Sequence, residues 1–156
     1  MIVKGVIDED FVNYKKASMT IEMPCCNFKC GKEYCQNSPL ATQPSIEVSN
    51  KSLVKRYINN PITHSVVFAG LDPMDSWEDL WYLICEFRHY TLDDIVIYTG
   101  YTEEEVYNKR YIMSNLRQFP NIIIKFGRFI PNQKPHYDEV LGVNLISDNQ
   151  YAKRIS

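Results

Sequence analysis

Four of the chain's five cysteines lie between positions 25 and 35, in the segment Met23-Pro-Cys-Cys-Asn-Phe-Lys-Cys-Gly-Lys-Glu-Tyr-Cys35. Cys26, Cys30 and Cys35 form a spaced set, with three and then four residues between successive thiols, and Tyr34 stands just before the last. Thiolates this close in one loop can converge on a soft metal centre, because three sulfurs at such spacings wrap one face of a cluster. Ordinary iron–sulfur sites use four cysteines, and ordinary structural zinc sites use four ligands. A triad leaves one iron of a four-iron cluster without a protein ligand, open to a bound molecule. The competing reading is a zinc knuckle completed by Cys25, His64, His89 or His136. Spacing alone leaves both metals open. Cys25 also competes with Cys26 as the first ligand, although adjacent residues leaving a strand point to opposite sides and only one reaches the metal. Cys85 falls on an apolar helical face and reads as a small core residue.

Two further segments carry groups that could hold a ligand. In Ala69-Gly-Leu-Asp-Pro73, Gly70 lets the backbone approach a bound molecule closely, and the Asp72 carboxylate can pair with a cationic amino group. Taken alone, the same residues make an ordinary turn in which Asp72 sets up Pro73. In Tyr98-Thr-Gly-Tyr-Thr102, the Thr99 hydroxyl could reach a ribose or a carboxylate, whereas the plain reading is a strand-to-helix turn with Thr102 as cap. Asn149 and Gln150 could close the site's edge. The three histidines are scattered, so no acid–base or nucleophile constellation forms, and no phosphate-binding glycine loop is present. The eleven tyrosines are too dispersed for a nucleic-acid stacking platform.

These residues need elements to position them. Met19–Met23 reads as a strand leading into the cysteine loop, and Ser38–Ser45 as an irregular connection. A helix is expected over Ser49–Asn59, capped by Ser49 or Asn50 and ended by Asn60-Pro61. Ser65–Phe68 reads as a buried strand closed by Ala69-Gly70. A second helix runs to about Tyr90 from a cap at Asp75 or Ser76, with Leu80, Leu83, Ile84 and Phe87 on one face. Asp94–Tyr98 is the next strand, and Thr102-Glu-Glu-Glu105 is a capping-box start for a helix to about Gln118. Ile122–Lys125 is a third buried strand. The remainder is loop-rich, with a final short helix or turn near Asn149–Arg154. Strands alternating with helices specify a mostly parallel sheet of the α/β class, whose ligands sit at the strands' carboxyl ends. Topology therefore brings the cysteine loop, the Gly70–Asp72 turn and the Thr99 turn onto one rim.

At 156 residues, the chain is sized for one domain over positions 1–156. With 45% hydrophobic and 23% charged residues it has a globular balance. A net charge of −2 argues against broad attraction to nucleic acid or an anionic membrane. No signal-peptide core and no bilayer-length apolar run stands out, so a cytoplasmic location with reduced, metal-binding cysteines is expected.

The segments together resemble the radical S-adenosylmethionine superfamily and, within it, the activating proteins of anaerobic ribonucleotide reductase. The resemblance rests on the Cys26, Cys30, Tyr34-Cys35 loop with Asn37 after it, on Phe68-Ala-Gly-Leu-Asp-Pro73, and on Ile97-Tyr-Thr-Gly-Tyr-Thr-Glu-Glu-Glu105. Gly127-Arg-Phe129, Gly142 and Asp148-Asn-Gln150 add a weaker match. The chain departs from the pattern in having four residues between Cys30 and Cys35, Ala69 for the first glycine of a pair, Lys125-Phe126 for an acid before Gly127, and no Pro-Gly turn in Asp10–Tyr14.

The resemblance implies a compact partial (β/α) barrel with the cluster loop after the first core strand. It implies a 4Fe–4S cluster on Cys26, Cys30 and Cys35, and S-adenosylmethionine held with help from Tyr34, Gly70, Asp72 and Thr99. The implied activity is generation of a 5′-deoxyadenosyl radical that installs a glycyl radical on anaerobic ribonucleotide reductase, with a flavodoxin-like or other low-potential electron donor. Action on another peptide or small substrate, or a non-catalytic zinc-binding module, are the alternatives.

Overall fold

The computed structural model describes residues 1–156. In chain order the elements are β1 (Ile2–Val3), β2 (Gly5–Asp10), β3 (Ser18–Met23), α1 (Ser38–Thr42), β4 (Ile46–Glu47), α2 (Asn50–Ile58), β5 (Ser65–Gly70), a 3-10 turn (Pro73–Ser76), α3 (Trp77–Arg88), β6 (Asp94–Tyr98), α4 (Glu103–Asn108), α5 (Arg110–Leu116), β7 (Ile122–Phe126), β8 (His136–Asp138), β9 (Val143–Leu145) and β10 (Tyr151–Arg154). Six strands form the main sheet in the order β10-β7-β6-β5-β3-β2. β3, β5, β6 and β7 are parallel, and β2 and β10 close the two edges antiparallel. The fold is α/β with a mostly parallel sheet, consistent with a partial barrel.

Alternation along the parallel strands separates two apolar faces. Val66, Phe68, Ile95, Ile97, Ile122, Ile124 and Phe126 join the larger cluster beneath the helices, with Leu80, Leu83, Ile84 and Phe87 of α3 among their partners. Val67, Val96 and Ile123 point the other way, against Tyr14, Leu141 and Leu145. Both faces are buried, so β5, β6 and β7 read as largely apolar runs, whereas β3 alternates with Thr20 and Glu22.

Several local features differ from the sequence expectation, among them strand β2, and the β8–β9 hairpin within the stretch expected to be loop-rich. The connection after Asn37 holds a short helix, α1, with Pro39 in its first turn, where a missing N–H costs nothing. The Asp75/Ser76 cap is absent: Asp72 caps the 3-10 turn by accepting from the Met74 N–H, and α3 follows directly. The helix starting at Thr102 has its capping box but breaks at Lys109 (φ −85°, ψ 69°) into α4 and α5. The segment near Asn149–Arg154 is a strand, β10, paired with β7 along one edge only.

Candidate metal centre

The cysteine loop leaves β3 at Met23 and turns back on itself. Phe28 sits at φ 53° and Gly31 at φ 87°, and the Gly31 carbonyl accepts from the N–H groups of Tyr34 and Cys35 at 3.2 and 3.1 Å. A non-glycine residue at positive φ is held there by its surroundings. Those surroundings are an anchor at Asn27. Its backbone N–H and side-chain amide donate to the Asp75 carboxylate at 2.8 and 3.1 Å, and the amide also donates to the Tyr101 hydroxyl at 2.6 Å. Tyr101 in turn donates to Asp75 at 2.6 Å. At the far end, the Asn37 amide donates to the Gly70 carbonyl at 2.6 Å. The loop is thus tied to the carboxyl-end turns of both β5 and β6.

Within the loop, Cys26, Cys30 and Cys35 all line one cavity of about 450 Å3 at the carboxyl ends of the parallel strands. The Phe28 N–H donates to the Cys26 sulfur at 3.3 Å. Burial pushes the Cys26 thiol up to about 11, with Asp72 and Asp75 adding to it, and burial followed by Cys35 raises Cys30. Binding a metal here must therefore displace protons. Cys25 is exposed and outside the cavity lining, its carbonyl fixed by the Asp72 N–H at 2.8 Å. Cys85 is half-buried on α3.

The expected ligand-holding residues divide. Gly70 lines the cavity at φ 81°, and a Cβ there would stand 2.9 Å from the Glu22 Cα, so the close approach requires glycine. Asp72 and Thr99 also line it, but they hold each other: the Thr99 hydroxyl donates to Asp72 at 2.8 Å, and the Gly100 N–H donates to the same carboxylate at 2.8 Å. Burial raises the Asp72 pKa against these donors. Asp72 therefore works as a strut between the β5 and β6 turns. Tyr34 is 57% exposed, packed near Gly31, and does not line the cavity. Gln150 lines it, while Asn149 donates to the Arg128 carbonyl.

The donor set and the family comparison together bear on the two metals weighed from the sequence. None of His64, His89 and His136 lines the cavity, and no three His, Cys, Asp or Glu side chains close around a single ion. Three thiols on one open wall fit a multi-iron group and do not make the closed four-ligand shell of structural zinc. Comparison with known families matches residues 17–150 to the 4Fe-4S single cluster domain. The chain belongs to that family. No curated protein and no solved structure matches it. As a 4Fe-4S cluster domain it is an iron–sulfur protein, and Cys26, Cys30 and Cys35 are the residues in position to hold the cluster.

Sequence reasoning missed the roles of Asn27 and Asp75, which nothing in the loop's spacing announces. It quoted Arg128 only within a weaker match and gave it no role; Arg128 pairs with Glu105 at 2.8 Å and lines the cavity. It noted Lys125 only as a departure from a pattern. The periodicity of β7 carries the missing signal, because a lysine two residues after Ile123 must share its face.

Proposed function

We propose that this protein is a radical S-adenosylmethionine enzyme that installs a glycyl radical on a partner enzyme, most directly an anaerobic ribonucleotide reductase. The observation that carries the reading is the open wall of three thiols on a cavity large enough for a nucleoside-bearing cofactor. When bound, a reduced cluster supplies the electron that splits S-adenosylmethionine into methionine and a 5′-deoxyadenosyl radical, which takes a hydrogen atom from the partner's glycine. A low-potential donor, flavodoxin-like or similar, supplies that electron in turn.

The chain's own residues set the stage for this chemistry. Asn27, Asp75 and Tyr101 fix the first turn of the cysteine loop, and the Asp72–Thr99 strut keeps the β5 and β6 turns at one spacing. Gly70 lets the end of β5 lie close against Glu22 of β3 at the wall of the cavity. A protein substrate is supported by the mouth of the cavity. Val12 and Ile146 line it while staying 76% and 37% exposed, and the neighbouring Phe11 is 66% exposed. Exposed apolar side chains gathered at a site entrance suit a docking protein surface. No helix is long and apolar enough to cross a membrane, and a cytoplasmic location accords with the reduced thiols the cluster needs.

The test is electron paramagnetic resonance on the anaerobically reconstituted, reduced protein. S-adenosylmethionine should change the cluster spectrum, and adding the partner reductase should then yield a glycyl doublet. An unchanged spectrum at saturating cofactor would sink the reading. A changed spectrum with no radical on any candidate reductase would remove the activase role while keeping the cofactor chemistry.

A further inference from the structure

Val143, Asn144, Leu145 and Ile146 line the thiol cavity one after another. Alternate side chains leave a strand on opposite faces, and here Val143 and Leu145 pack with the inner cluster while Asn144 is exposed. A cavity that meets four such residues in a row meets the strand's main chain. β9 pairs with β8 alone, antiparallel, with His136 opposite Leu145 and Asp138 opposite Val143. No main-chain bond from residues 143–146 runs anywhere else. In an antiparallel pair, alternate residues turn their N–H and C=O groups toward the partner strand and the others turn theirs away. The outer edge of β9 therefore holds N–H and C=O groups that nothing in the chain pairs, along the segment that lines the cavity.

The two edges of the main sheet are guarded. β2 carries Asp8, Glu9 and Asp10 and shifts register between Ile7 and Asp10, and β10 carries Lys153 and Arg154. Charges and bulges of this kind keep a stray strand off an edge. Val-Asn-Leu-Ile over 143–146 has no charge, no proline and no register shift.

We propose that the free edge of β9 receives an extended polypeptide segment of the partner protein, which adds a third strand to the β8–β9 hairpin and carries its reacting residue into the thiol-lined cavity. A row of alternating donors and acceptors is the complement of another main chain, whereas a nucleoside base has donors and acceptors enough for one residue of it. The rim suits the same occupant. Val12 lines the cavity at 76% exposure, and Ile146 is itself partly exposed, so the side chains of an added strand meet apolar surface. The inference deepens the proposed function and rests on a protein being the radical's target. It narrows that target to a stretch of main chain free to extend and low in charge.

The test is hydrogen exchange read at single amides of the cluster-loaded full chain, kept without oxygen. It is measured alone, with S-adenosylmethionine, and then with the candidate reductase or a short peptide spanning its glycine. Alternate amides within 143–146 should slow when reductase or peptide is added. Replacing successive peptide amides by esters should weaken binding with a period of two, by roughly 3–10-fold at each position that faces β9. Peptide binding with no such period would overturn the proposal, as would a glycyl radical on the reductase with unchanged exchange at 143–146. Slowing by S-adenosylmethionine alone would assign the edge to the cofactor and overturn it too. Period-two binding with no 5′-deoxyadenosine formed would uphold the strand pairing while the radical reading fails. A reductase that neither slows these amides nor gains the radical would overturn both.

Discussion

At the scale of single residues, the cysteines separate by what they face. Cys26, Cys30 and Cys35 line the cavity, whereas Cys25 and Cys85 do not. Replacing any of the first three by Ala should abolish stable iron loading, and Cys25→Ala or Cys85→Ala should retain it. Iron and sulfide counts on each purified variant decide this, and full loading of Cys26→Ala with loss in Cys25→Ala would move the ligand set by one residue. Lys125 gives a second residue-scale prediction. In the folded chain it titrates at about 8, below the free value of 10.5, because burial disfavours the charge. Between those limits the unfolded chain binds more protons, so folding stability should rise with pH over that range, by about 3 kcal/mol in all. Chemical unfolding of the wild type and Lys125→Met across that range should show the rise in the first and its absence in the second.

At the scale of elements, the site depends on ties between turns. Thr99 gives Asp72 a donor and accepts from the Tyr101 N–H at 3.1 Å. Thr99→Val leaves a buried carboxylate short of a partner and should cost about 1–3 kcal/mol, measured as a lower denaturant midpoint with unchanged slope. The Thr102 capping box is more exposed, so Thr102→Ala should cost about 1 kcal/mol. Glu105 of that box is pulled down to about 2 by Arg128. Its contribution is present above the usual glutamate value and is lost as pH falls from there toward 2. Which elements were legible follows from packing. β5, β6 and β7 are buried on both faces and announce themselves as apolar runs, and α2 and α3 show helical spacing. β10 buries only Ala152 and pairs along one edge, so Tyr-Ala-Lys-Arg carries no apolar pattern to read. The break at Lys109 has neither glycine nor proline to mark it.

At the scale of the molecule, parallel connectivity made the meeting of the cysteine loop, the Gly70 turn and the Thr99 turn legible, because parallel strands place such turns on one rim. Their division of labour was not. Residue type suggested that Asp72 and Thr99 would grip a ligand, and only the folded geometry reveals that their polar atoms are spent on each other. The same holds for Tyr34, whose position beside Cys35 in sequence says nothing about which way the loop's reversal turns it. The central claim is that the three thiols and the cavity beside them serve S-adenosylmethionine cleavage. Its most direct test is 5′-deoxyadenosine, quantified after the cluster-loaded protein is reduced without oxygen in the presence of S-adenosylmethionine. The account predicts product that requires the reductant and disappears in Cys30→Ala. A protein carrying its full complement of iron and sulfide, fully reduced, that forms no more 5′-deoxyadenosine than Cys30→Ala would contradict it.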